Sequence, residues 1–119
     1  MDRWKDPRRQ AGIVVAIAVV FSAVVLWPET RGAHRFNDLP AHVAWVRWAA
    51  DRIAGGHSPL DGWLPQLALG APQFHQYQVL PHIVAGLFAT LSDPETVVRW
   101  SLYLLVVTWP ISVLSLIHI

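Results

Sequence analysis

The chain has 119 residues, 54% of them hydrophobic and only 14% charged, with a mean hydropathy of +0.37, too apolar for an ordinary soluble domain of this length. A formal net charge of +1, with one dense basic stretch at Arg3, Lys5, Arg8 and Arg9, excludes nucleic acid as a partner, because phosphate binding needs Lys and Arg clustered over one face. Cysteine is absent, which excludes disulfides, thiolate catalysis and Cys-based zinc or iron–sulfur sites.

Residues 1–10 read as a cytoplasmic basic N-terminus and residues 11–27 as a first transmembrane helix. Ala11 to Trp27 is apolar apart from Gly12 and Ser22 and, at ~1.5 Å per residue, reaches about 25 Å, the lower limit for a bilayer core. Snorkelling at Arg8 and Arg9 and an interfacial Trp27 extend it. A cleavable signal peptide shares the basic start and apolar centre, but the run is long and no small-x-small cleavage site follows, so a retained helix is expected. The bases ahead of it favour a cytoplasmic N-terminus, which puts residues 28–78 outside.

Within that extracytoplasmic loop, Asp38-Leu39-Pro40 reads as a helix start, since Asp can accept from first-turn amides and Pro is tolerated there. The helix is expected over 38–54, stopped by Gly55-Gly56. Val43, Trp45, Val46, Trp48, Ala50 and Ile53 make it too greasy for water, while His42, Arg47, Asp51 and Arg52 make it too polar to span. An amphipathic helix in the headgroup plane is the expectation. Arg47 and Asp51, one turn apart, are expected to pair. Residues 57–81 carry Pro59, Gly62, Pro65, Gly70, Pro72 and Pro81, breakers that predict a structured loop, with Trp63, Phe74 and Tyr77 holding it to the membrane surface or to neighbouring helices.

A second transmembrane helix is expected over 79–91 and a third over 97–113, joined by a cytoplasmic turn at 92–96 whose Ser92-Asp93-Pro94-Glu95 has capping-box form, Ser92 accepting and Glu95 reaching back. The last six residues, Leu114-Ser115-Leu116-Ile117-His118-Ile119, translate a common transposon adapter sequence, CTGTCTCTTATACACATC. They are expected to be adapter-derived, with the native chain breaking off near Val113. The fold class predicted is thus an all-α membrane protein, three transmembrane helices with an extracytoplasmic loop containing an interfacial amphipathic helix.

Asp38 is the sharpest candidate for chemistry, with His34 and His42 at helical spacing on either side. A carboxylate at the water–lipid boundary can act as a general base on a hydroxyl, or help hold a divalent cation whose other ligands are phosphate oxygens. The same residue can equally be only a helix cap. His34 and His42 can tune Asp38, and His75 and His82 would share a helix face if their stretch were continuous, which Pro81 opposes. With no His-x-x-x-His pair on a clear helix and no Cys, no metal site is expected from the histidines. Asp61 reads most simply as a turn residue, with a second acid or metal ligand opposite Asp38 in a membrane-surface cleft as the alternative.

The order Asn37-Asp38-Leu39-Pro40-Ala41-His42, Gly55-Gly56, Trp63-Leu64-Pro65, Gly70-Ala71-Pro72, then Phe74, Tyr77, Leu80 and Pro81 resembles the first outer loop of polytopic membrane proteins with GT-C glycosyltransferase architecture. It is closest to the bacterial membrane group labelled 6-pyruvoyl-tetrahydropterin-synthase-related. The resemblance covers residues 31–91 and departs at His75-Gln76 and Gln78-Val79-Leu80, where a Tyr-Pro-Pro-like stretch is usual. It implies transfer of a sugar from a polyprenyl-phosphate donor to an extracytoplasmic acceptor at the cell membrane, with Asp38 as the catalytic acid. His34, Arg35, His42, Trp63 and Tyr77 are the candidate substrate-binding residues, Arg35 or Arg31 compensating the leaving phosphate. It further implies a fragment that is inactive without its downstream transmembrane helices. A non-enzymatic multi-spanning protein, a transporter or a polysaccharide-assembly partner, is the alternative.

Overall fold

A computed structural model describes residues 6–32, 38–65, 70, 72, 74 and 78–118, with side chains described to residue 116. The described residues form four α-helices: α1 Pro7–Leu26, α2 Leu39–Ala54, α3 Val79–Ala89 and α4 Pro94–His118. They belong to two compact units, a terminal one of residues 1–34 with 100–119 and a central one of residues 35–99. The division falls within α4, between Arg99 and Trp100.

In the terminal unit α1 begins at Pro7, ahead of the Ala11 expected from hydropathy, because Asp6 and Pro7 supply the two elements of a helix start. The Asp6 carboxylate accepts from the Arg8 amide at 3.0 Å, and Pro7 occupies a position whose N–H would be orphaned anyway. Arg8 and Arg9 therefore lie in the first turn. A 3₁₀ turn, Trp27–Arg31, continues from Leu26 and is closed by Gly32 at φ 81, a left-handed conformation that suits glycine. Ile13, Val14, Ile17, Val20, Phe21, Val24 and Val25 are all exposed around α1, and no residue of the helix is buried. A helix with this much exposed apolar surface and no buried residue is compatible with a hydrocarbon surrounding.

Two helical stretches, Pro7–Arg31 and Pro94–Leu116, are long and apolar enough to cross a membrane. α4 carries Pro110 inside it, and Thr108 bonds back through its hydroxyl to the Leu104 carbonyl at 2.7 Å, which satisfies that hydroxyl within the apolar helix. Trp27, Trp100 and Tyr103 meet edge to face, with centroids 5.5–6.1 Å apart, and the Tyr103 hydroxyl donates to the Ala23 carbonyl at 3.1 Å. The Arg31 guanidinium lies over the Trp27 ring at 5.5 Å. Amphipathic rings gathered at a helix end are the side chains favoured at a membrane–water boundary.

The central unit is organised around α2. Leu39, Val43, Val46 and Ala50 recur at helical spacing and pack with Ala85, Ala89, Val97 and Val98. The adjoining stripe of Ala41, Trp45, Trp48 and Ala49 packs with Leu64, Phe74, Val79 and Ile83. The apolar face expected in the headgroup plane is thus turned to protein, while Arg47 and Asp51 stay exposed. Small residues set the distance between the two helices: a Cβ built on Gly86 would meet the Ala49 Cβ at 2.7 Å and the Ala50 amide nitrogen at 3.2 Å. The loop is pinned from α2 by Arg52, which donates to the Ser58 carbonyl at 3.1 Å and the Asp61 carbonyl at 3.0 Å. A Cβ on Gly62 would clash with the Trp48 ring.

Two sequence expectations change here. The helix expected over 79–91 runs Val79–Ala89, 11 residues or about 16 Å at ~1.5 Å each, shorter than a hydrocarbon core of about 30 Å. The cap of α4 is Asp93 and not Ser92: its carboxylate accepts from the Thr96 amide at 2.9 Å and the Thr96 hydroxyl at 3.2 Å. Pro94 then takes the first helical position. Glu95, expected to reach back, instead holds Arg99 at 2.7 Å, and Arg47 lines the same groove as this pair. The Thr96 amide, helped by its hydroxyl, holds the Asp93 carboxyl below its usual range, Arg47 contributing less.

Replacing Gly86 by Leu forces α3 away from α2 and should cost about 1–3 kcal/mol, whereas Val84→Leu on the exposed face should cost little. Hydrogen exchange of α2 and α3 amides in detergent checks this, and equal protection in both variants would contradict the close approach.

Candidate functional site

Asp38 stands at the N-cap position of α2, where its carbonyl accepts from the Ala41 and His42 amides at 3.1 and 3.2 Å. Its side chain makes no capping hydrogen bond and is exposed. Position and chemistry therefore separate: the backbone of Asp38 starts the helix, while its carboxylate is not committed to the first-turn amides. One turn along, on the same side of α2, lies His42.

His42 is joined to His82, a residue 40 positions later on α3, by a 2.9 Å contact between His42 Nδ1 and His82 Nε2. The two rings are nearly parallel, 8° apart with centroids at 5.2 Å. His82 Nδ1 is 2.8 Å from the Gln78 carbonyl. A carbonyl only accepts, so His82 Nδ1 must carry a proton and, in the neutral ring, Nε2 must be the acceptor. His42 Nδ1–H then donates to it, and the lone pair of His42 is left on Nε2. One backbone oxygen thus sets the proton arrangement of both rings.

The pair is enclosed by aromatic side chains. Trp45 is edge-on to both rings, with centroids at 5.1 Å from His42 and 5.0 Å from His82, and Phe74 lies 6.1 Å from His82. His82 is 7% exposed. Burial pushes its imidazole below the ordinary histidine value; the Gln78 carbonyl works in the opposite direction and His42 lowers it further.

Of the other residues predicted from sequence, Trp63 is exposed, its indole occupying the space that a Cβ on Gly70 would need, and Gly70 has a left-handed φ of 95. His34, Arg35 and Tyr77 lie outside the described residues, as does His75. Sequence reasoning missed His82 as a site residue, since no local spacing links it to a partner on another helix. Among the described residues no group of three or more His, Cys, Asp or Glu converges on a metal position. A divalent cation held by Asp38 would take its other ligands from phosphate oxygens and water.

A second polar feature of the central unit is a groove of about 380 Å³ lined by Leu39, Pro40, Val43, Ala44, Arg47, Glu95 and Arg99. Arg99 is buried while Glu95 is half exposed, and their one-turn spacing with Glu N-terminal is the favourable orientation on a helix. No family model, curated protein or solved structure matches this chain.

The lowered proton affinity of His82 fixes the sign of a pH effect. Below the ordinary histidine value, about 6.5, the unfolded chain takes up a proton that folded His82 refuses. Stability of the central unit is therefore full above that value and declines as pH falls toward the lowered one. Exchange protection of α2 and α3 should drop as pH falls below about 6.5, and His82→Phe should flatten the slope. Protection that rises on acidification would refute the assignment.

Proposed function

We propose that this chain is the N-terminal membrane portion of a polytopic glycosyltransferase of GT-C architecture, acting on a polyprenyl-phosphate sugar at the outer face of the cell membrane. One observation carries the reading: Asp38 occupies a helix-start position without spending its carboxylate on the helix. A carboxylate that caps nothing, exposed and one turn from a histidine with a directed lone pair, suits engagement of an incoming hydroxyl. The order of residues from Asn37 to Pro81 supports the same reading, with Trp63 offering a flat apolar surface to a sugar ring.

In this arrangement α1 crosses from a cytoplasmic N-terminus, residues 38–99 lie on the outer side, and α4 returns. α3, with 11 residues, stays beside α2 instead of making the second of three crossings. The turn bearing Asp93 and Glu95 then faces outward, and Arg3, Lys5, Arg8 and Arg9 remain inside, as the distribution of bases across membranes favours. Asp38 engages the acceptor hydroxyl, and Arg35 meets the departing phosphate.

The chain has no native cysteine, so Asp38→Cys places a single thiol at the site. A membrane-impermeant maleimide added to intact cells should label it, and labelling only after the membrane is opened would overturn the orientation. In the full-length protein Asp38→Asn should reduce sugar transfer by about 10²-fold or more with insertion unchanged. Transfer at the original rate would remove Asp38 from the mechanism.

A further inference from the structure

Neither Asp38 nor the order of motifs explains why two histidines from different helices are locked together beside the site. A structural histidine satisfies both ring nitrogens locally. Here only one ring is satisfied in that way: His82 has a carbonyl on Nδ1 and a second ring on Nε2. Among the described residues, Nε2 of His42 has no hydrogen-bond partner, and the chain of donors from Gln78 outward leaves that nitrogen with its lone pair.

We propose that Nε2 of His42 is the proton acceptor of the site, with His82 and the Gln78 carbonyl acting behind it as positioning groups. This rests on the glycosyl-transfer reading above and assigns the proton within it. As the acceptor hydroxyl attacks, its oxygen forms a bond to the anomeric carbon and its proton passes to His42 Nε2. The bond from the anomeric carbon to the phosphate oxygen breaks, and its electron pair leaves with the polyprenyl phosphate. Asp38, one turn before His42 at the head of the same helix, hydrogen-bonds the hydroxyl.

Proton affinity favours this division of labour. An ordinary imidazole binds a proton about 2.5 units more tightly than an ordinary carboxylate, so near neutral pH it is the better matched base. Once His42 is charged, its Nδ1–H still donates to neutral His82, and a hydrogen bond from a cation is stronger than one between neutral groups. Burial of His82 keeps that second ring neutral and available as the acceptor. Among the described residues, the groups in contact with the pair are Trp45 on α2, Gln78 at the head of α3, and Phe74 from the loop, none of them charged.

The test reads tautomers directly and needs no variant. In the full chain, carrying ¹⁵N-labelled histidine and held in lipid nanodiscs near pH 7.5, long-range ¹⁵N–¹H spectra should show both His42 and His82 protonated at Nδ1. Diethyl pyrocarbonate should modify His42 at Nε2 ahead of His82. A His42 protonated at Nε2, or His82 modified first, overturns the proposal whatever the fate of sugar transfer. In the full-length protein His42→Gln should slow transfer by about 10²–10⁴-fold and abolish the acid limb of the pH–rate profile. Unchanged transfer, or a retained acid limb, also overturns it. If Asp38→Asn transfers at the original rate while the tautomers are as expected, the failure lies with Asp38 and not with the histidine pair.

Discussion

The close approach of α2 and α3 is the constraint on which the central unit depends. It is made possible by an absence, the missing side chain of Gly86 opposite Ala49 and Ala50. Two helices whose facing residues are Gly and Ala can bring their backbones together, and side chains a few turns away then meet at hydrogen-bond distance. His42 and His82 do so at 2.9 Å. A larger residue at the crossing would separate both stripes of α2 from their partners and part the two rings.

The polar site follows from how α2 divides its surface. Leu39, Val46, Ala49 and Ala50 are buried, so the helix has no freedom to rotate, and Asp38 at its head and His42 one turn later are fixed with it. Arg52 ties the same helix to the loop through the Ser58 and Asp61 carbonyls, which brings Leu64 and Phe74 over Trp45 and Ala49. These interactions give the histidine pair its dry surroundings. Burial in turn disfavours charge on His82 and leaves one arrangement of protons across the two rings.

The terminal unit obeys a different rule. α1 has no buried residue, and beyond Arg99 α4 presents Leu102, Leu104, Leu105, Val106 and Trp109 outward with Val107 buried, so most of the apolar surface of this unit is left uncovered by protein. Their backbone groups are satisfied within the helices, the form an apolar solvent demands. Aromatic residues collect where Trp27, Trp100 and Tyr103 meet, and Arg31 caps that cluster with its charge.

Much of this was legible in the residues themselves. The apolar run after Arg8 and Arg9, the helix beginning at Asp38 and stopping at Gly55, and the breakers between Pro59 and Pro72 each have local causes, and local causes can be read along a chain. The finer outcomes depended on partners distant in sequence. Whether the apolar face of α2 meets lipid or protein, whether residues 79–91 have the length to span, and whether Asp93 or Ser92 caps α4 turned on packing and on which oxygen reached the amide. The pairing of His42 with His82 could come only from the tertiary structure, because it joins residues 40 apart through a crossing that no periodicity within either helix encodes.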